Sequence, residues 1–475
     1  MPSSFACFVR WKWVAVIGFW LGGWLSPSWA SGLPPEVLAA LQRAPLPAES
    51  VAVVVAPAVP GSAPWIHHRA DEAVNPASVM KLVTTFAALD LLGPAHVWRT
   101  TVHTDAPVRD GVLQGHLYLK GGGDPKLVSE KLWLLMRRVQ ALGIARVAGD
   151  IVIDRSTFDV PAVDPGAFDG EPLRPYNATP DALLVNFKAQ VFQFVPDPVA
   201  GVARVGMEPP LAGVQVPASV PLTGGPCNDW RAGLRADFSD ATRPRFAGAY
   251  PASCGERIWP LAHPEPDRMT ARAVQGMWAA VGGRLDGQVR TGVTPPEAVE
   301  RLALESPPLT EVVRDVNKFS NNVMAQHLLL ALAQGPDRPA TFEAARDRIA
   351  QWWVQRLGPT VPAPRIDNGA GLSRDARITA AALARLLQVA YVSPMMPELM
   401  SSLPASGLDG TLRRSAMGEG LAHLKTGSLR DVQALAGYVH RPDGQRLVLV
   451  AIVNHPNARA ARPALDALVQ WAAQR

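Results

Sequence analysis

Residues 75–93 read NPASVMKLVTTFAALDLLG, and this stretch restricts the fold more than any other. Asn75 suits a helix N-cap, Pro76 the first helical position, and Gly93-Pro94 a stop. Met80, Leu82, Val83, Phe86, Leu89, Leu91 and Leu92 leave no wide polar face, so the helix belongs inside a domain, covered all round. Ser78 and Lys81 fall in its first turn, one turn apart on the same face. A serine hydroxyl becomes a competent nucleophile only when a nearby base takes its proton. A lysine buried among apolar side chains loses solvation of its ammonium, its pKa falls, and the neutral amine can be that base. The helix start adds a positive dipole end, and the Ser78 N–H can face a developing oxyanion. A lysine snorkelling out of the core beside a capping serine is the plain alternative. It fits poorly next to Met80, Leu82 and Val83, since buried lysines are rarely left unpaired.

The start of the chain reads as an export signal. Arg10 and Lys12 precede an apolar run, Trp13 to Leu25, and Ser28-Trp29-Ala30 offers small residues for cleavage after Ala30. That run is shorter than the ~20 residues of a spanning helix, so no membrane anchor is expected after signal cleavage. Removal of residues 1–30 also removes Cys7. The mature chain then keeps only Cys227 and Cys254, which in an oxidising compartment read best as one disulfide. No Cys or His cluster has ligand spacing, so neither metal nor cofactor is expected. The adjacent His67 and His68 read as a strand face. Formal net charge is +5, spread along the chain without a basic stripe or nucleic-acid motif, which argues against nucleic acid as a partner.

The texture divides the remainder. A short helix at 34–44, a valine-rich strand at 51–59 and a second strand near 65–69 precede the buried helix. Residues 95–302 change to short strand-like runs (115–120, 146–154, 184–195) among Gly- and Pro-rich loops, with one helix near 267–281. Helix returns at 309–333, broken at Ser320-Asn321-Asn322. Strands at 432–439 and 446–453, joined by Pro442-Asp443-Gly444, and a helix at 461–473 complete the chain. The expected class is α+β: a discontinuous domain (31–94 plus 303–475) of antiparallel sheet flanked by helices, with a large, mainly β insertion at 95–302 forming two subdomains.

Three short motifs occur once each and in order: Ser78-Val79-Met80-Lys81, Ser320-Asn321-Asn322 and Lys425-Thr426-Gly427. Standing alone, the second would read as a helix cap and the third as ordinary strand residues. Lys425-Thr426-Gly427 lies just before the terminal hairpin and so falls on a sheet edge. Glycine there would let a substrate backbone approach and add to the edge. Lys425, Thr426 and Ser428 would then meet a carboxylate, with the Ser428 N–H as second oxyanion donor.

Together these motifs resemble those of the penicillin-recognising serine hydrolases. The long gap between Ser78 and Ser320 is similar to the class C low-molecular-mass penicillin-binding proteins, the D-alanyl-D-alanine carboxypeptidase/endopeptidase family, which carry large domains between the motifs. Further stretches resembling family signatures are Gly121-Gly122-Gly123-Asp124-Pro125, Gly369 to Arg374, and Leu403-Pro404-Ala405-Ser406-Gly407 running to Asp409-Gly410-Thr411. The resemblance implies an acylated nucleophile at Ser78 with Lys81 as base. It makes Ser320 a relay to the leaving amine, Lys425 the group that sets its electrostatics, and Asn322 the holder of the substrate amide. It also implies that Asp154 meets the free amine of the stem-peptide diaminoacid and Arg374 its carboxylate; a strand-end turn and a surface arginine are the plain readings of those two. The partners implied are peptidoglycan stem peptides, with β-lactams as covalent inhibitors, and the compartment is the periplasm. Two rivals share the fold: a β-lactamase, separated by penicillin turnover, and a silent wall-binding or sensor protein, disfavoured by the complete set of polar motif residues.

Overall fold

A computed structural model describes residues 32–335 and 338–475, so the export signal read at residues 1–30 lies outside the described residues. The valine-rich stretch forms the strand Val51–Pro57 inside a five-stranded antiparallel sheet. Its order is Ile66–His68, Val51–Pro57, Arg446–Asn454, Val432–His440 and Ala422–Leu429. Strand residues alternate between faces, and here both faces are covered. Val51, Val53 and Val55, with Leu447 and Leu449, pack under the terminal helices Pro35–Arg43 and Arg462–Gln474. Ala52, Val54 and Ala56, with Val448, Val450 and Ile452, pack against a second layer. That layer holds the helices Lys81–Leu92, Leu309–Phe319, Asn322–Ala331, Phe342–Leu357 and Ala380–Tyr391. Burial on two sides accounts for the continuous apolar runs of the three inner strands.

Between Leu92 and Leu309 the chain leaves this three-layer body and returns beside its own exit. Arg99–Thr104 pairs antiparallel with Val299–Glu305, Arg99 opposite Glu305. These two strands belong to a five-stranded mixed sheet completed by Leu117–Lys120, Ile151–Asp154 and Val289–Gly292, the last three mutually parallel. Two helices cover it, Ser129–Ala141 and Pro266–Ala280. The second was expected. The first replaces an expected loop, and Leu132, Leu135, Met136 and Val139 line its buried face at helical spacing.

A second sheet, built on the hairpin Ala189–Asp197/Val202–Glu208, carries its own aromatic core: Phe192, Phe194 and Tyr250, ringed by Trp230, Phe238, Phe246 and Trp259. Cys227 and Cys254 are joined there as a disulfide. Near the three-layer body the glycine-rich segment 121–123 makes the docking contact. His327, fully buried on helix Asn322–Ala331, is 2.9 Å from the Gly123 carbonyl through Nδ1 and accepts from the Asp181 N–H through Nε2. A Cβ on Gly123, at φ +83°, would sit 2.8 Å from the Gln334 side chain and 2.6 Å from the Phe158 ring, so no larger residue allows this approach.

Candidate active site

The buried helix begins differently from its sequence reading. Ala77–Met80 form a 3-10 turn, and the α-helix proper starts at Lys81. Ala77 is left-handed at φ 48°, a sparsely populated conformation for a residue with a Cβ. Its surroundings hold it there. The Asn75 side chain accepts from the Ala77 N–H at 2.9 Å and donates to the Ser373 carbonyl at 2.9 Å. Asn454, at the end of the adjacent strand, brackets the Asn75 backbone with both of its amide atoms. Gly371, itself at φ +74°, packs so tightly that a Cβ would lie 1.9 Å from the Ala77 carbonyl. The turn thereby presents Ser78 at the head of a helix whose first N–H groups lack intrahelical partners.

Lys81 is fully buried. Its Nζ lies 3.0 Å from Ser78 Oγ, 2.7 Å from Asn322 Oδ1 and 2.6 Å from the Ala370 carbonyl. Burial holds its pKa well below that of an ordinary lysine, and the nearby charge of Lys425 lowers it further. The amide oxygen and the carbonyl can only accept. A neutral amine therefore spends its two hydrogens on them, and its lone pair is left facing the Ser78 hydroxyl, which donates.

Ser320 is the left-handed C-cap of helix Leu309–Phe319 (φ 58°), and Asn321 caps the next helix through the Met324 N–H. That break turns the Ser320 hydroxyl toward Lys425, whose Nζ donates to it at 2.8 Å and to the Thr426 carbonyl at 2.8 Å. Lys425 is also fully buried, and desolvation pulls its pKa down to about 7. It lies on the edge strand Ala422–Leu429, which has a strand neighbour on one side only. Thr426 Oγ1 is 2.8 Å from Thr411 Oγ1, and Ser428 Oγ accepts from Gln433 at 2.6 Å. Gly427 also has a packing role. A Cβ there would meet the Pro76 carbonyl at 2.8 Å and Ala77 at 3.2 Å, so the glycine lets the strand lie against the turn that carries Ser78.

The three motifs thus converge on two hydrogen-bonded clusters, Ser78–Lys81–Asn322 and Ser320–Lys425–Thr426. Asp154 and Arg374 stand apart from them. Asp154 is buried at a strand end and accepts from the Ser156 and Thr294 N–H groups, one per carboxylate oxygen. Burial would raise its pKa, but these bonds outweigh it and the net shift is downward. Arg374 is half exposed, donates to Asp431 at 3.1 Å and lies 4.6 Å over the Phe168 ring. Two participants carry no side-chain signature: the Ala370 carbonyl on Lys81, and the Tyr176 carbonyl, which accepts from Asn322 Nδ2 at 2.9 Å. The glycines flanking Ala370 were the available signal for the first. Among the described residues no group of acidic, His and Cys side chains forms a metal-binding cluster, and no helix is long and apolar enough to cross a membrane.

Comparison with known proteins gives one consistent result. A family model described as the D-Ala-D-Ala carboxypeptidase 3 (S13) family matches residues 35–475. The chain is 31% identical over 414 residues to a D-alanyl-D-alanine carboxypeptidase of Actinomadura sp. (strain R39), covering 82% of this chain and 75% of that one. It is 24% identical over 394 residues to D-alanyl-D-alanine carboxypeptidase DacB of Haemophilus influenzae, 80% of each. The crystal structure of penicillin binding protein 4 from Haemophilus influenzae superposes with TM-score 0.70 at 22% identity, over 91% of this chain and 99% of that one. The same protein complexed with a β-lactam gives TM-score 0.68 at 21% identity, over 92% and 99%.

Proposed function

The chain belongs to the D-Ala-D-Ala carboxypeptidase 3 (S13) family and is a serine-type hydrolase, and from that premise we propose that it removes terminal D-alanine from peptidoglycan stem peptides through an acyl-enzyme on Ser78. The observation that carries the reading is the environment of Lys81: two pure acceptors bind its hydrogens and leave the lone pair on the Ser78 hydroxyl. Ser78 Oγ attacks the carbonyl carbon of the penultimate D-alanine as its proton passes to Lys81 Nζ. The Ser78 and Ser428 N–H groups receive the oxyanion. The C–N bond to the terminal residue then breaks, and that nitrogen takes a proton through Ser320, held by Lys425. Water hydrolyses the ester and restores the serine. Asn322 orients the substrate amide, and Lys425 with Thr426 meets the terminal carboxylate. Asp154 and Arg374 at the insertion side are candidates for the amine and carboxylate of the diaminoacid, Arg374 by exchanging Asp431 for the substrate. Cross-linked stem peptides, in which the scissile bond is the same D-alanyl amide, are a second substrate, and the periplasm is the compartment where they occur.

A β-lactam presents the same acyl group in a ring, so its opened amine stays tethered and the ester persists. Fluorescent penicillin is therefore expected to label the mature protein covalently and to resist denaturing electrophoresis. Labelling that survives in Ser78→Ala would refute the assignment, and rapid release of hydrolysed penicillin would make the protein a β-lactamase.

A further inference from the structure

The turn Pro175–Asn177 has two sides. Toward the catalytic cleft the Tyr176 carbonyl holds Asn322 Nδ2. Arg174, Pro175 and Tyr176 also line an open cavity of about 810 Å³ shared with the disulfide-bearing unit. That volume lies within the roughly 300–1,000 Å³ of small-ligand sites. The opposite wall presents Arg231, Arg235, Phe238 and Trp259. Arg174 is paired with Glu171, and the Asp229 carboxylate is engaged by the Ala232 N–H. Arg231 and Arg235 have no carboxylate partner among the described residues. The exposed Arg231 guanidinium lies 5.2 Å from the Trp230 ring centre and 5.9 Å from the Trp259 ring centre. Cys227 and Cys254 tie the segment that carries both arginines to the sheet behind it.

We infer that this cavity is a second binding site, for a carboxylate-bearing peptide, placed one residue from the catalytic asparagine. A planar guanidinium matches a carboxylate in a two-bond fork, and aromatic faces accept the apolar parts of a short peptide. The inference rests on the peptidase reading and deepens it: the occupant is a stem peptide other than the one being cleaved, held beside the cleft by its free carboxylates.

The test separates the two sites by blocking one. Mature protein is first acylated with penicillin, so the cleft is filled, and then titrated by calorimetry with a soluble muropeptide carrying free stem carboxylates. Parallel titrations use its carboxamidated form and peptide-free glycan oligomers. Binding to the acylated protein is expected, with at least a tenfold loss in Arg231→Gln/Arg235→Gln and a similar loss for the carboxamidated probe. Arg235→Gln alone, at an exposed position, gives an intermediate loss and guards against misfolding of the double variant. No binding to acylated protein, binding indifferent to the arginines or to amidation, or preference for the bare glycan would each overturn the inference. Failure of the acylation step would refute the peptidase reading instead. The unblocked protein would then still report the cavity through the arginine variants.

Discussion

Lys425→Met tests the electrostatics of the site without needing a substrate. In the folded chain desolvation brings Lys425 to about 7, whereas an unfolded lysine titrates near 10.4. Between those values the unfolded chain holds a proton that the folded chain has released, so stability rises with pH across that window and the penalty is complete below it. The lysine then costs about 4–5 kcal/mol at pH 6 and about 2 kcal/mol at pH 9, from ~1.4 kcal/mol per pKa unit. Methionine keeps the length and apolar stem but cannot ionise. It also gives up the bonds to Ser320 Oγ and the Thr426 carbonyl, each worth roughly 1 kcal/mol. The variant is therefore expected to be the more stable protein at pH 6, with its advantage shrinking by roughly 3 kcal/mol by pH 9. Calorimetric scans at several pH values read this directly. The relevant transition is identified as the one that moves when penicillin acylates the protein. A difference between the two proteins that is the same at pH 6 and pH 9 would refute a depressed Lys425. Carboxylate-bearing substrates should meanwhile bind the parent less well as pH rises through 7 and the ammonium is lost.

Three further outcomes follow from the same geometry. Lys81→Arg puts a guanidinium that cannot deprotonate at a workable pH where the parent holds a neutral amine, so penicillin acylation should fall by ~10²–10⁴-fold in stopped-flow measurements while Lys425→Arg loses less; a near-parental rate in Lys81→Arg would refute the base assignment. Gly371→Ala drives a Cβ into the Ala77 carbonyl at a left-handed position and should slow acylation and lower stability by more than ~1 kcal/mol, whereas unchanged values would show that the nucleophile turn is held by other contacts. Reduction of Cys227–Cys254 should loosen the second inserted unit before it affects acylation, read by hydrogen exchange alongside penicillin labelling; simultaneous loss of both would contradict the separation.

The sequence made the residue types and their order legible because each motif depends on side chains. The buried character of Lys81 follows from its neighbours Met80, Leu82 and Val83, and the edge position of Lys425 follows from the hairpin beyond it. Positions fixed by backbone atoms were not legible. The Ala370 and Tyr176 carbonyls come from segments far in the chain from Lys81 and Asn322, the groups they bind, and nothing in an alanine or a tyrosine announces that its carbonyl will be used. The left-handed Ala77 was hidden for a related reason. A Pro-Ala-Ser start to an apolar run suits an ordinary helix, and the neighbouring Asn75 side chain together with the close approach of Gly371 and Gly427 from two other segments displaces it. Helix Ser129–Ala141 was legible and passed over, since its apolar residues keep helical spacing inside a region otherwise read by its turns.

The two lysines are best understood as one device. Each is buried, each has its hydrogens directed to oxygen acceptors, and the charge of Lys425 lowers Lys81 further. Protonating Lys81 while Lys425 is charged places two cations in one desolvated site, so the proton taken from Ser78 is held against that repulsion. Handing it on to a departing amine is correspondingly favoured. Ser320, hydrogen-bonded to Lys425, is the relay proposed for that proton. An isolated buried lysine would make as good a base but a poorer donor for the next step. In the proposed mechanism, the placement of the third motif on the sheet edge, close against the turn that carries the first, thus serves the return of the proton as well as the seating of the substrate.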